Sequence, residues 1–319
     1  MKTHERLWTN IVFLRIAIVT DDAFEVIRSL PQLRELVVTS IACYENPDLR
    51  NEAYSIAPRM NPVNRTLALL ELRNGYMWVA EWLLQLFTAV DTLALREIWR
   101  HDHSTVIHAA RHIVKNLELQ NVGTVALSRM HEFLDLRNVL GMVIHAQIPS
   151  EWSTGHEEAM QDVILPASQS LKSVHYLEST PREWMPKSVT PPSFVAFKSL
   201  TSVTLTTDAF NRALYPLRWP HALRFLDTLP LNIATIELIY TDFWAKDEIL
   251  VSLIRQIDWT AIACTLEKYT QLRSLRIGSE RKSQPRQYWK CAPLVNNKSA
   301  RDAVLEGLPD YLRAVTVFV

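Results

Sequence analysis

One spacing, apolar-x-x-apolar-x-apolar, returns eleven times along the 319 residues. It reads IVFLRI from Ile11, LRELVV from Leu33, LALLEL from Leu67, VDTLAL from Val90, VKNLEL from Val114 and LRNVLG from Leu136. It continues as LKSVHY from Leu171, LTSVTL from Leu200, IATIEL from Ile233, LRSLRI from Leu272 and LRAVTV from Leu312. A single hexamer constrains little, because any half-buried strand can produce it. Eleven of them, spread over nearly the whole chain, mark an internal repeat. In each hexamer the last apolar pair alternates with its neighbours, so one face of a short strand turns to a core and the other to solvent. A lone strand cannot bury that face. Stacked strands form a parallel sheet, and parallel neighbours need a crossover between them. At LRNVLG, Gly141 takes the last apolar place, and a one-residue shift would use Leu140 and Met142 instead.

The segments between hexamers have the pattern of such crossovers. DDAFEVIRSL, residues 21–30, reads as a short amphipathic helix with Asp at its start. MWVAEWLLQLF, residues 77–87, sets Trp78, Trp82 and Leu86 at helical spacing. TVALSRMHEFL, residues 124–134, brings Val125, Met130 and Phe133 near one face. The longest helical pattern, AKDEILVSLIRQIDWTAIACTLEK, is expected to break near Trp259. The acidic pairs Asp21-Asp22 and Glu157-Glu158 fit first turns of helices, where they complement the dipole.

Hexamers with helical returns resemble the leucine-rich repeat family over about nine-tenths of the chain. The resemblance implies an α/β fold: an irregular solenoid, or horseshoe, with a parallel sheet on its concave face and helices on its convex face. Residues 1–319 are then one domain of about eleven irregular repeats. The family consensus goes on to an Asn or Cys two residues after the last leucine. Asn74 and Asn121 match it, while Glu97, Glu178, Thr207, Ser279 and others stand at the equivalent places. The phrase LPQLRELVV, Leu30 to Val38, and the unequal repeat lengths resemble the repeat region of fungal F-box proteins. In that family an F-box docks on a ubiquitin-ligase adaptor, and the repeats hold the protein to be ubiquitinated. The first strand here begins by about Ile11, so no F-box segment is expected in this chain. Adaptor binding would need one upstream.

Composition narrows the classes further. Hydrophobic residues at 48% and charged residues at 21% describe a globular chain, not a disordered one. Lys plus Arg and Asp plus Glu both number 34, so no global charge draws the chain to nucleic acid or an acidic membrane. YMWVAEWLLQLFTAV is too short to span a bilayer and carries Glu81 and Gln85. Three widely spaced cysteines, Cys43, Cys264 and Cys291, imply reduced, partly buried thiols. MKTHERLWTN lacks the apolar core of a signal peptide, and a cytoplasmic or nuclear place is expected.

No catalytic motif stands out. The chain has no G-x-S-x-G, and its six glycines form no phosphate-cradling loop, so neither an enzyme nor a cofactor is expected. The alternative reading is a metal-binding protein or metal-dependent enzyme built on HDHSTVIHAARH, residues 101–112. On a helix, His108 and His112 would share a face, a familiar zinc spacing, with His101 and His103 before them. The Glu of a metalloprotease helix is missing there. RIGSERKSQPRQYWK, residues 276–290, and the proline-rich PREWMPKSVTPPSF, residues 181–194, read as exposed loops. In them Trp184 and Trp289 are the aromatic contact candidates.

The chemistry of a repeat array lies on its outward strand positions. These include Arg15, Glu35, Glu71, Arg73, Arg96, Glu118, Gln120, His175, Glu237 and Arg276. Strands ~4.8 Å apart would give an inner edge on the order of 50 Å. That is enough for a protein interface of roughly 800 Å² per partner. A strip of alternating charge selects a partner by complementarity.

Overall fold

The inward leucines organise the chain as the hexamers predict. The computed structural model describes residues 10–17, 21–39, 63–98, 111–146, 155–178, 191–207, 219–241, 251–252, 254–280 and 296–319. Among these residues every strand pairing described below is parallel, and helices lie between the strands. The fold is α/β. Packing divides the chain into two compact units, one of Met1–Val143 with Pro149–Ala167 and one of Ile144–Ile148 with Ser168–Val319.

In the first unit the strand order is β1 (Phe13–Ile16), β2 (Glu35–Thr39), β3 (Val63–Arg73), β4 (Phe87–Ile98), β5 (His112–Val122). Short β6 (Leu134–Asp135) pairs with the start of β5. β7 (Gly141–Ala146) is next to β5 in the order and carries the chain across the division between the units. Register is set by the inward leucines. Leu36, Leu70, Leu93 and Leu117 align in one row, and Val38, Leu72, Leu95 and Leu119 in the next. All eight are at most 1% exposed. Burial of such a side chain contributes about 1.5–3 kcal/mol.

Helices α1 (Asp21–Ser29), α2 (Met77–Gln85), α3 (Thr124–Phe133) and α4 (His156–Ile164) belong to this unit. α1 ends on a side-chain cap from another element: the Arg65 guanidinium of β3 donates to the carbonyls of Arg28 and Leu30. A cation there meets the negative end of the helix dipole. α3 buries Ala126, Leu127, Met130 and Phe133, whereas Val125 is 58% exposed. The expected place of Val125 on the apolar face is thereby corrected. It stands one residue before Ala126, about 100° round the helix from the buried stripe.

The second unit orders β8 (Ser173–Glu178), β9 (Ser202–Thr207), β10 (Thr235–Thr241), β11 (Ser274–Glu280) and β12 (Thr316–Phe318). Its inward rows are Val174, Val203, Ile236 and Leu275, then Tyr176, Leu205, Leu238 and Ile277. The Tyr176 ring stacks on Phe225 of α5 (Trp219–Asp227) at 4.2 Å between centroids. The long helical pattern does break where expected. Asp258 accepts a hydrogen bond from Ala261 N at 2.9 Å and opens α6 (Trp259–Leu266). Asn297 caps α7 (Lys298–Gly307) in the same way, and α8 (Asp310–Arg313) precedes β12.

Two hexamers are displaced from their expected register. Leu136 begins a 3₁₀ turn and is not the first apolar residue of a strand motif. The amide of Val139 donates to Leu136 O, as Leu33 does to Leu30, Leu200 to Phe197 and Leu272 to Tyr269. Leu136 is therefore the turn residue that precedes a hexamer. The hexamer itself is VLGMVI, with Val139, Met142 and Ile144 at most 2% exposed and Leu140 38% exposed. In β12, Thr316 and Phe318 align with Leu275 and Ile277, so Val317 faces outward and is 50% exposed. LRAVTV is thus one residue out of step.

The asparagines two residues after two of the hexamers have a backbone reason. Asn74, Glu97 and Asn121 have φ of 49°, 58° and 52°, and each lies two residues beyond the last leucine of its hexamer. Asparagine tolerates the left-handed region, and glutamate does so less readily. Glu97→Asn is expected to stabilise the chain by about 0.5–1 kcal/mol, read as a higher urea midpoint with unchanged slope. An unchanged or lowered midpoint would show that Glu97 contributes more through its carboxylate than its backbone costs.

Candidate functional site

The outward strand positions form rows that the register makes explicit. In the first unit one row is Arg15, Val37, Glu71, Ala94 and Glu118, and the next is Thr39, Arg73, Arg96 and Gln120. Five of the expected site residues meet there in one polar cluster. Glu71 Oε1 lies 2.5 Å from Arg73 Nε and 2.6 Å from Arg96 Nε. Arg96 reaches on to Glu118 Oε2 at 3.0 Å and donates to Gln120 Oε1 at 3.1 Å. The hydrogen bond to Glu71 raises the Arg73 pKa, and the negative charges of Glu71 and Glu97 add to the effect against partial burial.

This cluster is more enclosed than a solvated strip. Glu71 is 5% exposed, and Val37 and Ala94 beside it in the row are 5% and 0% exposed. Glu71 acts as the anchor of two guanidiniums, not as a free contact residue. Removing one member of so buried a group would leave charge uncompensated. Arg15 and Glu35 are exposed, and Arg73 keeps 41% of its side chain open. They are the accessible charges of this face.

In the second unit the corresponding row is His175, Thr204, Glu237, Arg276 and Val317. Thr204 donates to Glu237 Oε2 at 3.1 Å, and His175 Nε2 lies 2.8 Å from Thr206 Oγ1. Arg276 stands 3.7 Å from Glu237 and keeps 44% of its side chain exposed. This pairing is looser than the Glu71 cluster. The two threonines were not among the expected site residues. Their positions in LTSVTLTT, on the same parity as His175 and Glu237, are the signal that places them.

The remaining candidates part company. Trp184, Trp289, His101, His103 and His108 lie outside the described residues. His112 opens β5, so it does not share a helix face with His108. The strand conformation follows from IVKNLEL, whose inward Val114, Leu117 and Leu119 need period two. Among the described residues no group of three or more His, Cys, Asp or Glu side chains is placed to hold a metal ion. Cys264 is a free thiol, as expected, but exposed and not partly buried, because it falls on the outer side of α6 away from Trp259, Ile262 and Leu266. No described helix is long and apolar enough to cross a membrane.

Set against known proteins, the chain matches no family model, no curated protein and no solved structure. The outward rows offer ion pairs, hydroxyls and exposed charges on paired parallel strands.

Proposed function

We propose that the chain is a non-enzymatic protein-recognition module of the leucine-rich-repeat class, a solenoid that meets its partner with the outward positions of its strands. The observation that carries this reading is register. Polar residues at matching hexamer positions fall side by side on consecutive parallel strands, above rows of buried leucine and valine. A sheet so supported holds side chains in fixed positions, which lowers the entropy lost on binding. The likeness of LPQLRELVV to fungal F-box proteins supplies a setting inside the cell: the substrate-holding part of a ubiquitin-ligase receptor. The adaptor would be engaged only through an F-box.

The enclosed cluster dictates which residues to test. Reversing Arg96 would set a further carboxylate against buried Glu71 and threaten the fold. Arg15→Glu, Glu35→Lys and Arg276→Glu change accessible charges instead. The triple variant is expected to keep its cooperative melt and to lose the proteins that co-purify with the wild type from cells. A folded variant with an unchanged partner list would remove the outward face from consideration.

A further inference from the structure

Among the described residues, the second unit carries cations that no carboxylate answers. Lys172 stands just before β8, Lys198 in the turn before β9, and Arg273 just before β11, all exposed. None forms an ion pair with a described residue, in contrast to Lys268 with Asp227 and Arg313 with Asp310 in the same unit. The backbone fixes their level. Thr201 N and Ser202 N both donate to Lys172 O, Ala234 N and Thr235 N to Thr201 O, and Arg273 N and Ser274 N to Ala234 O. Lys172 and Arg273 are therefore equivalent positions three strands apart, roughly 14 Å at the usual strand spacing. Lys198 belongs to the turn that leads into β9, the strand beside β8, and its carbonyl accepts from Asn232 Nδ2 at 2.9 Å.

One residue further on, Ser173, Ser202, Thr235 and Ser274 align across the same four strands. This row of hydroxyls runs beside the row Lys172, Thr201, Ala234 and Arg273, which has a cation at each end. On that row and the next, from His175 to Arg276, Glu237 is the one carboxylate, and Thr204 and Arg276 already attend it.

We infer that the strand-start edge of the second unit docks an acidic, extended segment of a partner protein, with carboxylates on Lys172 and Arg273 and the hydroxyl row as further donors. The inference rests on the recognition-module reading and names the partner's chemistry. Spacing sharpens it: on an extended strand, side chains at i and i+4 share a face and lie roughly 13 Å apart. Acidic residues four apart would thus span the two cations. Attraction of this kind is strong at low salt and falls as salt screens it.

The test uses the full chain and two probes, a ten-residue oligoglutamate and an oligolysine of equal length, titrated at low and physiological ionic strength. Oligoglutamate is expected to bind and oligolysine not to. Lys172→Glu with Arg273→Glu should weaken oligoglutamate about tenfold or more. Lys172→Gln with Arg273→Gln, a gentler pair should the first fail to fold, should weaken it less. Lys115→Glu in the first unit makes the same kind of charge change at a lysine paired with Asp91 at 2.7 Å, and should leave binding intact. Equal binding of both probes, no binding of oligoglutamate, or an equal loss in Lys115→Glu would overturn the inference. The recognition-module reading would survive any of these, since its own test alters Arg15, Glu35 and Arg276.

Discussion

Leu117→Ala is expected to destabilise the chain by about 3–5 kcal/mol, the range for a leucine deleted from a core that cannot collapse. Leu117 is fully buried and sits in register between Leu93 and the strand that follows, with Leu70 one strand further back. Its neighbours are fixed by ladders on both sides, so the cavity would not close by moving a backbone. Asn116 provides the contrast. It is the adjacent residue, faces outward, is exposed, and donates to Thr92 Oγ1 at a long 3.4 Å. Asn116→Ala should therefore stay within about 0.5 kcal/mol of the wild type. Urea unfolding of both variants measures the pair. Comparable effects at the two positions would mean that the alternation of faces in β5 is wrong, and with it the repeat on which the recognition reading depends.

The alternation was readable because a period of two with leucine or valine inside allows no other face. At Leu136 the reading failed. A leucine in the turn before a hexamer is as buried as one inside it, and spacing alone does not separate the two. The hydrogen bond from Val139 N to Leu136 O does so, and it takes the backbone to reveal it. β12 slipped for a related reason: LRAVTVFV offers apolar residues at both parities, so either register satisfies the pattern.

The candidate surface was legible in membership but not in exposure. Glu71, Arg73, Arg96, Glu118 and Gln120 do share one face, as their hexamer positions require. That Glu71 is enclosed by two arginines follows from the lateral register of β3, β4 and β5, to which no local sequence window gives access. The left-handed backbone shared by Asn74, Glu97 and Asn121 was half visible. The asparagines announce it, and Glu97 hides it, because the repeat imposes the conformation even where the residue opposes it.

Acid should weaken the first unit through one histidine that the sequence does not mark. His156 is the first residue of α4, 8% exposed, and its Nδ1 lies 3.3 Å from Thr124 Oγ1 at the start of α3. Burial pushes its pKa down to about 4, against a small opposing pull from Glu157. The folded chain thus keeps the ring neutral where the unfolded chain, with a pKa near 6.5, takes up a proton. Well above pH 6.5 neither form is protonated, and the group leaves stability independent of pH. As pH falls from about 6.5 toward 4, the unfolded state binds a proton that the folded state refuses, so stability drops. Over that interval the loss grows to about 3 kcal/mol at the acid end. Carboxylates that titrate over the lower part of this range contribute to any acid limb, so the comparison that isolates His156 is with His156→Gln. The amide keeps a polar group near Thr124 and cannot charge. The variant should start less stable at pH 7.5 and lose less between pH 6.5 and 4.5, so that the two urea-midpoint profiles converge in acid. Parallel profiles would show that His156 protonates as readily in the folded chain as in the unfolded one, and that the junction of α3 and α4 is open to water.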